Sequence, residues 1–261
     1  PQTVKYAWRV LEPFFAHMRP DQIDRATCRE YVRARRAAGK KDGTIRRELI
    51  QLKAALRWHD PRTPAVFELP RDSEPREFHL TKDEYKALRD AADAGGEPHV
   101  RLYVELSRIT AARMGAILDL RWSQVDLDRQ IIKLRRPEVP EESILGPKRK
   151  PRATVPIPDK DAELLRTHKA GALSDYVVEY GGKRIKSIKR GFRRSVERAQ
   201  LPRETTPHVI RHSCAVWMAE ADTPMSVIQQ YLGHQSIEIT IKHYAQYSPS
   251  YLRKAMAAID F

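Results

Sequence analysis

The sequence predicts a mainly α-helical chain that carries a small antiparallel β-sheet and is divided into two domains. Apolar residues recur at helical spacing over most of its 261 residues. The period changes after Trp122, where short runs rich in β-branched residues alternate with turn residues and favour two or three strands. Residues 70–79 are polar, contain two prolines and break the periodicity, which indicates an interdomain linker. We therefore assign residues 1–72 to a small helical domain, 73–79 to the linker and 80–261 to a larger domain.

The small domain is predicted to contain helices from its start. A first helix presents an apolar stripe made of Val4, Trp8, Leu11, Phe15 and Met18. A second helix is expected over residues 26–38, where Gly39 ends it. A third is expected to begin at Thr44 as its N-cap, with an apolar face made of Ile45, Leu49, Leu52 and Leu56.

Basic residues cluster in the second and third helices of this domain. Arg46, Arg47, Lys53 and Arg57 lie off the apolar stripe, where any one of them taken singly is better explained as a solvated surface charge. Their number favours a surface that faces phosphates once the upstream basic residues are added. Those upstream residues are Arg33, Arg35, Arg36, Lys40 and Lys41.

The larger domain opens with a capping box, in which Thr81 is the N-cap and Glu84 follows three residues later. Two helices are expected here, over residues 82–92 and 100–111. A strongly basic helix is expected over residues 185–200, and further helices follow from residue 206 to the end of the chain.

Composition narrows the function before any motif is considered. The chain has 48 Lys and Arg against 34 Asp and Glu, a formal net charge of +14, which favours a nucleic-acid partner. A run of eighteen apolar residues is absent from the sequence, which argues against a membrane span. Two cysteines make neither a disulfide framework nor a four-cysteine zinc site, so a reducing cytoplasm is the expected compartment. With a nucleic-acid partner, the expected place there is the bacterial nucleoid.

A helix that begins at Thr206-Pro207 carries the first candidate site residues. His208 and Arg211 are three residues apart and therefore neighbours on the helix surface. We expect them to lie well away from the core stripe and to face a phosphate oxygen together. Downstream, Gly233 closes a helix before His234, and Tyr244 follows ten residues later. Spacing alone leaves open whether Tyr244 is a core aromatic or a site residue.

Two upstream elements complete the pattern. Arg113 follows a Thr–Ala–Ala turn near a helix start, and Lys148 lies in a basic turn between two predicted strands. The residues in order are Arg113, Lys148, His208, Arg211, Gly233, His234 and Tyr244, and together they resemble the tyrosine recombinases, the phage integrase family. The resemblance covers nearly the whole chain and implies a helical core-binding domain followed by an α+β catalytic domain.

The resemblance implies how a DNA strand would be cleaved. Tyr244 is the implied nucleophile, which forms a covalent 3′-phosphotyrosine after losing its proton to His208. Lys148 is the implied acid that returns a proton to the leaving 5′ oxygen. Tyr247 and Tyr251 lack the family spacing from His234, so neither is expected to be the nucleophile.

The resemblance also implies that side chains stabilise the transition state. Arg113, Arg211 and His234 would donate to the non-bridging phosphate oxygens. Because the phosphotyrosine keeps the bond energy for rejoining, we expect no nucleotide cofactor. We expect no metal either, because the clustered carboxylates that two-metal nucleases need do not appear beside the motifs. The residues predicted to contact DNA are Arg46, Arg47, Lys53, Arg149, Lys150, Lys186, Lys189 and Arg193.

Three positions depart from the family pattern. Ala111 stands where glycine is usual, and Gln246 where a histidine often follows the tyrosine. Ala116 stands where an acidic residue usually follows the first arginine by three positions, so the pocket lacks an expected bracing carboxylate.

The implied partners are double-stranded DNA clamped between the two domains, a homotetramer on paired recombination sites, and DNA-bending accessory proteins, with no membrane. A terminal helix is expected with Leu252, Met256 and Ile259 on one face, and the sequence alone allows this face to pack on its own catalytic domain. The resemblance favours its passing to a neighbouring protomer. The function predicted is site-specific recombination, which integrates or excises a phage or other mobile element. The alternatives are a type IB topoisomerase and, less favoured, a regulator whose residues 208–233 form a helix-turn-helix.

Overall fold

The computed structural model describes residues 2–72, 77–134 and 153–250 together with residues 253 and 256. The chain divides into two compact units, Pro1–Arg76 and Glu77–Phe261, each with its own hydrophobic core. The division falls within the segment that the sequence assigns to the linker. The predicted fold class, mainly helical with a small antiparallel sheet, is confirmed.

The first unit contains helices α1 (Gln2–Phe15), α2 (Arg25–Ala37) and α3 (Asp42–His59). Asp24 caps α2, because its carboxylate accepts the Thr27 backbone N–H at 2.8 Å. α1 and α2 each pack on α3. The core that they enclose consists of Leu11, Phe15, Ile23, Cys28, Tyr31, Ile45, Leu49 and Leu52.

Two details of the first unit differ from the prediction. Val4 and Trp8 are 44% and 42% exposed, although Leu11 and Phe15 on the same predicted stripe are buried. Periodicity identifies the apolar face of a helix but not how much of its length is covered, and the first two turns of α1 lie beyond the core. The third helix begins at Asp42 with Lys41 as its N-cap, so Thr44 lies inside the first turn and the predicted start is wrong.

The second unit is built around a central helix. The described helices are α4 (Lys82–Asp93), α5 (Pro98–Thr110), α6 (Met114–Leu118), α7 (Asp159–Ala170), α8 (Lys189–Arg198), α9 (Pro207–Glu220), α10 (Met225–Leu232) and α11 (Ile237–Tyr244). The capping box of Thr81 and Glu84 at the start of α4 is confirmed. α5 is buried on most of its surface and packs against α4, α6 and α9. It therefore carries the turn that follows it into the interior.

A three-stranded antiparallel sheet lies beside these helices and confirms the predicted strands. It contains β1 (Val125–Asp126), β2 (Ile131–Lys133) and β3 (Thr154–Pro156), with β2 in the centre. Ile132 pairs with Val125 on one side and with Val155 on the other, and all three side chains are buried.

The segment before α8 differs from the prediction. A short hairpin forms from β4 (Glu179–Tyr180) and β5 (Lys183–Arg184), and Gly181 and Gly182 supply its positive-φ turn. The basic helix consequently begins at Lys189 and not at residue 185. Among the described helices, none is long and apolar enough to cross a bilayer.

The terminal helix expected to carry Leu252, Met256 and Ile259 lies largely outside the described residues. Of its predicted apolar face, only Met256 is described, and its side chain is exposed.

Candidate active site

The turn after α5 positions Arg113. Ala111 adopts φ 43° and ψ 25°, the left-handed conformation that favours glycine, and this ends α5. Thr110 Oγ1 accepts the Ala112 backbone N–H at 3.2 Å and supports the turn. Arg113 then serves as the N-cap residue of α6 with a half-buried side chain, as the sequence predicts. The glycine that is usual at position 111 is explained by this backbone geometry.

Arg211 on α9 is buried, with only 4% of its surface exposed. Its Nη1 donates to the Ala111 carbonyl and its Nη2 to the Leu232 carbonyl, each at 2.8 Å. Burial, followed by the charge of Arg113, lowers the pKa of the guanidinium to about 10. The prediction that Arg211 lies well away from the core is therefore wrong. Its burial depends on carbonyl groups 100 and 21 positions away in the sequence, which no local pattern reveals.

His208 lies one turn before Arg211 on α9, whose predicted start at Thr206-Pro207 is confirmed. Its side chain is exposed. Partial removal from water, followed by the charges of Arg211 and Arg113, lowers the pKa of the imidazole. The ring is therefore favoured in its neutral form, with one nitrogen able to accept a proton.

His234 follows the left-handed Gly233, which closes α10 at φ 62° as the sequence predicts. Its Nδ1 lies 2.9 Å from Oγ1 of the buried Thr240, which fixes the ring. Burial, followed by the charges of Arg211 and Arg113, lowers its pKa to about 4. The ring stacks on Tyr244 with centroids 6.5 Å apart and planes 12° from parallel.

Tyr244 is the last residue of α11 and is 7% exposed. Its ring belongs to the core cluster, while its hydroxyl lies 3.4 Å from Nδ1 of His212. Burial raises the pKa of the phenol and the charge of Arg211 partly opposes this. Helical spacing alone would place Ile237, Ile241 and Tyr244 on one apolar stripe, but Ile241 is 38% exposed and Thr240 is the buried neighbour. Both sequence interpretations of Tyr244 therefore describe part of its position.

The structure brings five of the six predicted catalytic residues together. The charges of Arg113 and Arg211 both act on the pKa of His208 and of His234, and the charge of Arg211 acts on that of Tyr244. A cavity of about 310 Å³ is lined by both arginines and by Ala116 and Asp119. Lys148, with Arg149 and Lys150, lies outside the described residues.

A sequence model of the phage integrase family matches residues 79–250 of this chain, a range that contains Arg113 and Tyr244. The chain belongs to the phage integrase family.

Relatives of this integrase-family chain come from archaea, bacteria and phages. A probable integrase/recombinase protein of Methanocaldococcus jannaschii is 29% identical over 170 residues, 59% of this chain and 48% of the relative. The integrase of Salmonella phage P22 is 26% identical over 224 residues, 80% of this chain and 54% of the relative. Tyrosine recombinase XerC of Mycobacterium tuberculosis is 25% identical over 243 residues, 84% of this chain and 78% of the relative. The chain spans about half the length of several of its relatives.

Solved structures of integrases share the fold. The Tn1549 transposon integrase in complex with transposon right end DNA superposes with a TM-score of 0.77 at 17% identity, covering 99% of this chain and 94% of that one. A lambda integrase dimer bound to a COC′ core site gives 0.70 at 19% identity, covering 92% and 70%.

The six described residues that are predicted to contact DNA fall into two groups by exposure. Arg47, Lys186, Lys189 and Arg193 are exposed. Arg46 and Lys53 are half-buried, and Arg46 Nη1 donates to the Pro70 carbonyl at 2.8 Å. Arg46 is therefore partly committed to its own domain.

The predicted phosphate-facing surface of the first unit is wrong at Arg35. Its guanidinium is bound by Glu48 in two hydrogen bonds of 2.7 and 3.0 Å, and Tyr31 donates to the same carboxylate. Arg36 similarly pairs with Asp42 at 2.6 Å. Glu48 and Asp42 thus pair with two arginines that the sequence alone had placed on the phosphate-facing surface.

Sequence reasoning missed two residues at the site. Asp119 lines the cavity six residues after Arg113 and accepts a hydrogen bond from Arg184. His212 lies beside the Tyr244 hydroxyl, and the only signal for it was its place directly after Arg211.

Proposed function

We propose that this chain is a site-specific DNA recombinase that cleaves and rejoins strands through a covalent 3′-phosphotyrosine on Tyr244. One observation carries the proposal: the buried ring of Tyr244 stacks on His234 and its phenol feels the charge of Arg211, while Arg211 and Arg113 both act on the pKa of His208 and of His234. An ordinary core tyrosine has no need of a buried guanidinium and a stacked imidazole beside it.

The two arginines suit an anionic transition state. A guanidinium has five N–H donors, and Arg211 uses two of them on carbonyl oxygens, so three remain for a phosphate. The two carbonyls also hold the group rigid, which removes the cost of orienting it during the reaction. Arg113, half-buried on the same cavity, supplies a second fork of donors.

The strand-cleavage step is a transesterification. The Tyr244 oxygen forms a bond to phosphorus as its proton leaves, and the bond from phosphorus to the 5′ oxygen breaks. The 5′ oxygen then takes up a proton, so atoms and charge balance without nucleotide. The family resemblance supports His208 as the base and Lys148 as the acid. The neutral state favoured for the His208 ring also supports its assignment as the base.

The partners that we propose are double-stranded DNA, a homotetramer on paired sites and DNA-bending accessory proteins, in the integration or excision of a mobile element. The net charge of +14 supports the DNA partner. The transposon right end DNA bound by the Tn1549 integrase supports the mobile-element role, and the family resemblance is what supports the homotetramer and the accessory proteins. The lambda integrase is bound to its core site as a dimer.

The decisive test traps the covalent intermediate. We would incubate the protein, in EDTA and without nucleotide, with nicked duplexes of randomised sequence, denature it, and sequence the DNA that stays attached. We expect adducts from the wild type and from Tyr247→Phe, a matched control that removes the same atom nearby. Tyr244→Phe should abolish them while leaving duplex affinity within about threefold, because only one oxygen is removed.

Three outcomes would contradict the proposal. Adducts at normal yield from Tyr244→Phe would exclude this nucleophile. An absence of adducts from the wild type would favour the DNA-binding regulator, and relaxation of supercoils without strand exchange would favour a topoisomerase.

A further inference from the structure

His212 contacts the hydroxyl of the proposed nucleophile, Tyr244, but has no role in the proposed reaction. It projects from α9 directly after Arg211, and its Nδ1 lies 3.4 Å from the Tyr244 hydroxyl. The two rings are tilted by 39° with centroids 5.4 Å apart. The hydroxyl makes no other hydrogen bond to a described residue. The contact is long, so a small rotation of either ring closes it or opens it.

The surroundings of His212 favour a neutral ring. Burial is the main cause, followed by the imidazoles of His79, His208 and His243, and together they lower its pKa to about 4. The backbone of Glu77 opposes this only in part. A neutral imidazole has one bare nitrogen, which accepts hydrogen bonds, and one N–H. Because a phenol donates readily to a bare nitrogen, the geometry suits a bond from the Tyr244 hydroxyl to Nδ1.

We propose that His212 is a positioning residue, whose bare Nδ1 accepts the Tyr244 hydroxyl and aims the phenolic oxygen at the scissile phosphorus. The inference rests on the proposed function of Tyr244. With its proton directed at Nδ1, the oxygen keeps its lone pairs free for attack. A nitrogen with so low a pKa holds a transferred proton poorly, so His212 orients the hydroxyl only before the reaction. As the bond to phosphorus forms, the long contact to Nδ1 opens and the proton passes to His208.

A matched pair of variants separates orientation from shape. His212→Asn places a polar atom where Nδ1 stands, and His212→Leu has nearly the same shape without a hydrogen bond. Single-turnover cleavage at saturating DNA should fall about 10- to 100-fold in the Leu variant, as expected for a misplaced reacting group. The Asn variant should stay within about threefold of the wild type, and DNA affinity should change in neither.

Cleavage by the Leu variant at the wild-type rate would overturn the inference. Equal losses in the two variants would also overturn it, since only shape would then matter. If the wild type forms no adduct, the proposed function fails independently, whereas normal adducts from the wild type and the Leu variant would refute the role of His212 alone.

A measurement without DNA tests the hydrogen bond between His212 Nδ1 and the Tyr244 hydroxyl directly, whether or not the protein cleaves DNA. Nitrogen NMR of the histidine-labelled protein, assigned with the Asn variant, should show His212 neutral with its proton on Nε2 at pH 7. Tyr244→Phe should shift the Nδ1 resonance, and Tyr247→Phe should not. A proton on Nδ1, or a spectrum unchanged by Tyr244→Phe, would refute the contact whether or not DNA is cleaved.

Discussion

Arg211 shows how a single residue can be charged in the interior without a carboxylate partner among the described residues. Its guanidinium bridges the Ala111 carbonyl, at the end of α5, and the Leu232 carbonyl, at the end of α10. A helix C-terminus carries partial negative charge, so both contacts favour a cation. The partial negative charge that stabilises Arg211 thus comes from backbone, a source that side-chain motifs do not show.

The buried imidazoles at the site also affect the stability of the fold. The pKa of His212 and of His234 is about 4 in the folded chain, against about 6.5 for a free imidazole. Below pH 6.5 these two imidazoles therefore bind protons in the unfolded chain but stay largely unprotonated in the folded chain. The free energy of unfolding should be steady in this respect above pH 6.5 and fall as the pH drops from 6.5 toward 4, by at most about 1.4 kcal/mol per pH unit for each ring.

Urea unfolding at pH 5.0 to 7.5 measures this slope while most carboxylates stay ionised. Replacing both His212 and His234 with asparagine should reduce the slope of the unfolding free energy against pH. Replacing His212 alone should give about half of that reduction. His208 shares the direction of shift, so some slope should remain in the double variant. A slope that is the same in all three proteins would show that the rings are not protected from protonation.

The packing of α8 depends on one glycine, which the sequence offers no reason to notice. A Cβ added to Gly191 would lie 2.5 Å from Val100 Cγ2, on a fully buried side chain of α5. Gly191→Ala should therefore lower the free energy of unfolding by about 1–2 kcal/mol. The overpacking costs about 1–3 kcal/mol, and the better helix propensity of alanine returns up to about 1.

A second glycine supplies the control for this prediction. Gly115 in α6 has nothing within 4 Å of an added Cβ, so Gly115→Ala should leave stability unchanged or raise it by up to about 1 kcal/mol. Thermal or urea unfolding compares the two variants. If Gly191→Ala were as stable as Gly115→Ala, α8 would pack less closely on α5 than the structure indicates.

Elements whose signals are local were predictable from sequence. The capping box at Thr81, the left-handed Gly39 and Gly233 that close helices, and the proline at Pro207 act within a few residues of the ends that they define. The β4–β5 hairpin was equally local, because Gly181 and Gly182 form its turn, and it was missed because its strands are only two residues long.

The candidate site was predictable as a set of residues but not as a geometry. Motif order indicated that Arg113, Arg211 and Tyr244 belong together, and the structure brings them together. The bonds that fix them join residues far apart in sequence, as Arg211 joins Ala111 across 100 positions and His212 meets Tyr244 across 32. No periodicity encodes such contacts, since they follow from how whole helices pack.

At the scale of the whole molecule, some of the basic side chains are already engaged by carboxylates and are less available to DNA, although the net charge stays at +14. Arg35, Arg36 and Arg194 are held by Glu48, Asp42 and Glu97. Exposed cations on α8 remain, and Lys189 and Arg193 line a groove of about 690 Å³ that also reaches Thr206 and Pro207 at the start of α9. The helix that carries His208 thus begins at a basic groove, which suits a path for the phosphate backbone.

Salt dependence of DNA binding should distinguish these cations. Changing Lys189 and Arg193 together to glutamine should weaken binding similarly on all DNA sequences and flatten the plot of log K against log salt by up to about two, because each lost phosphate contact releases one counterion fewer. Arg47→Gln should flatten it by about one. Arg46→Gln should flatten it less, since the guanidinium is already engaged by the Pro70 carbonyl.

The control for this prediction is the exposed pair Lys160 and Lys169 on α7, a helix that contributes no described residue to the candidate site. Changing both lysines to glutamine should leave the slope nearly unchanged. Fluorescence anisotropy on two unrelated duplexes across a salt series gives both quantities. A loss confined to one duplex would instead make Lys189 and Arg193 readers of base sequence, and an equal loss from the α7 pair would mean that only net charge matters.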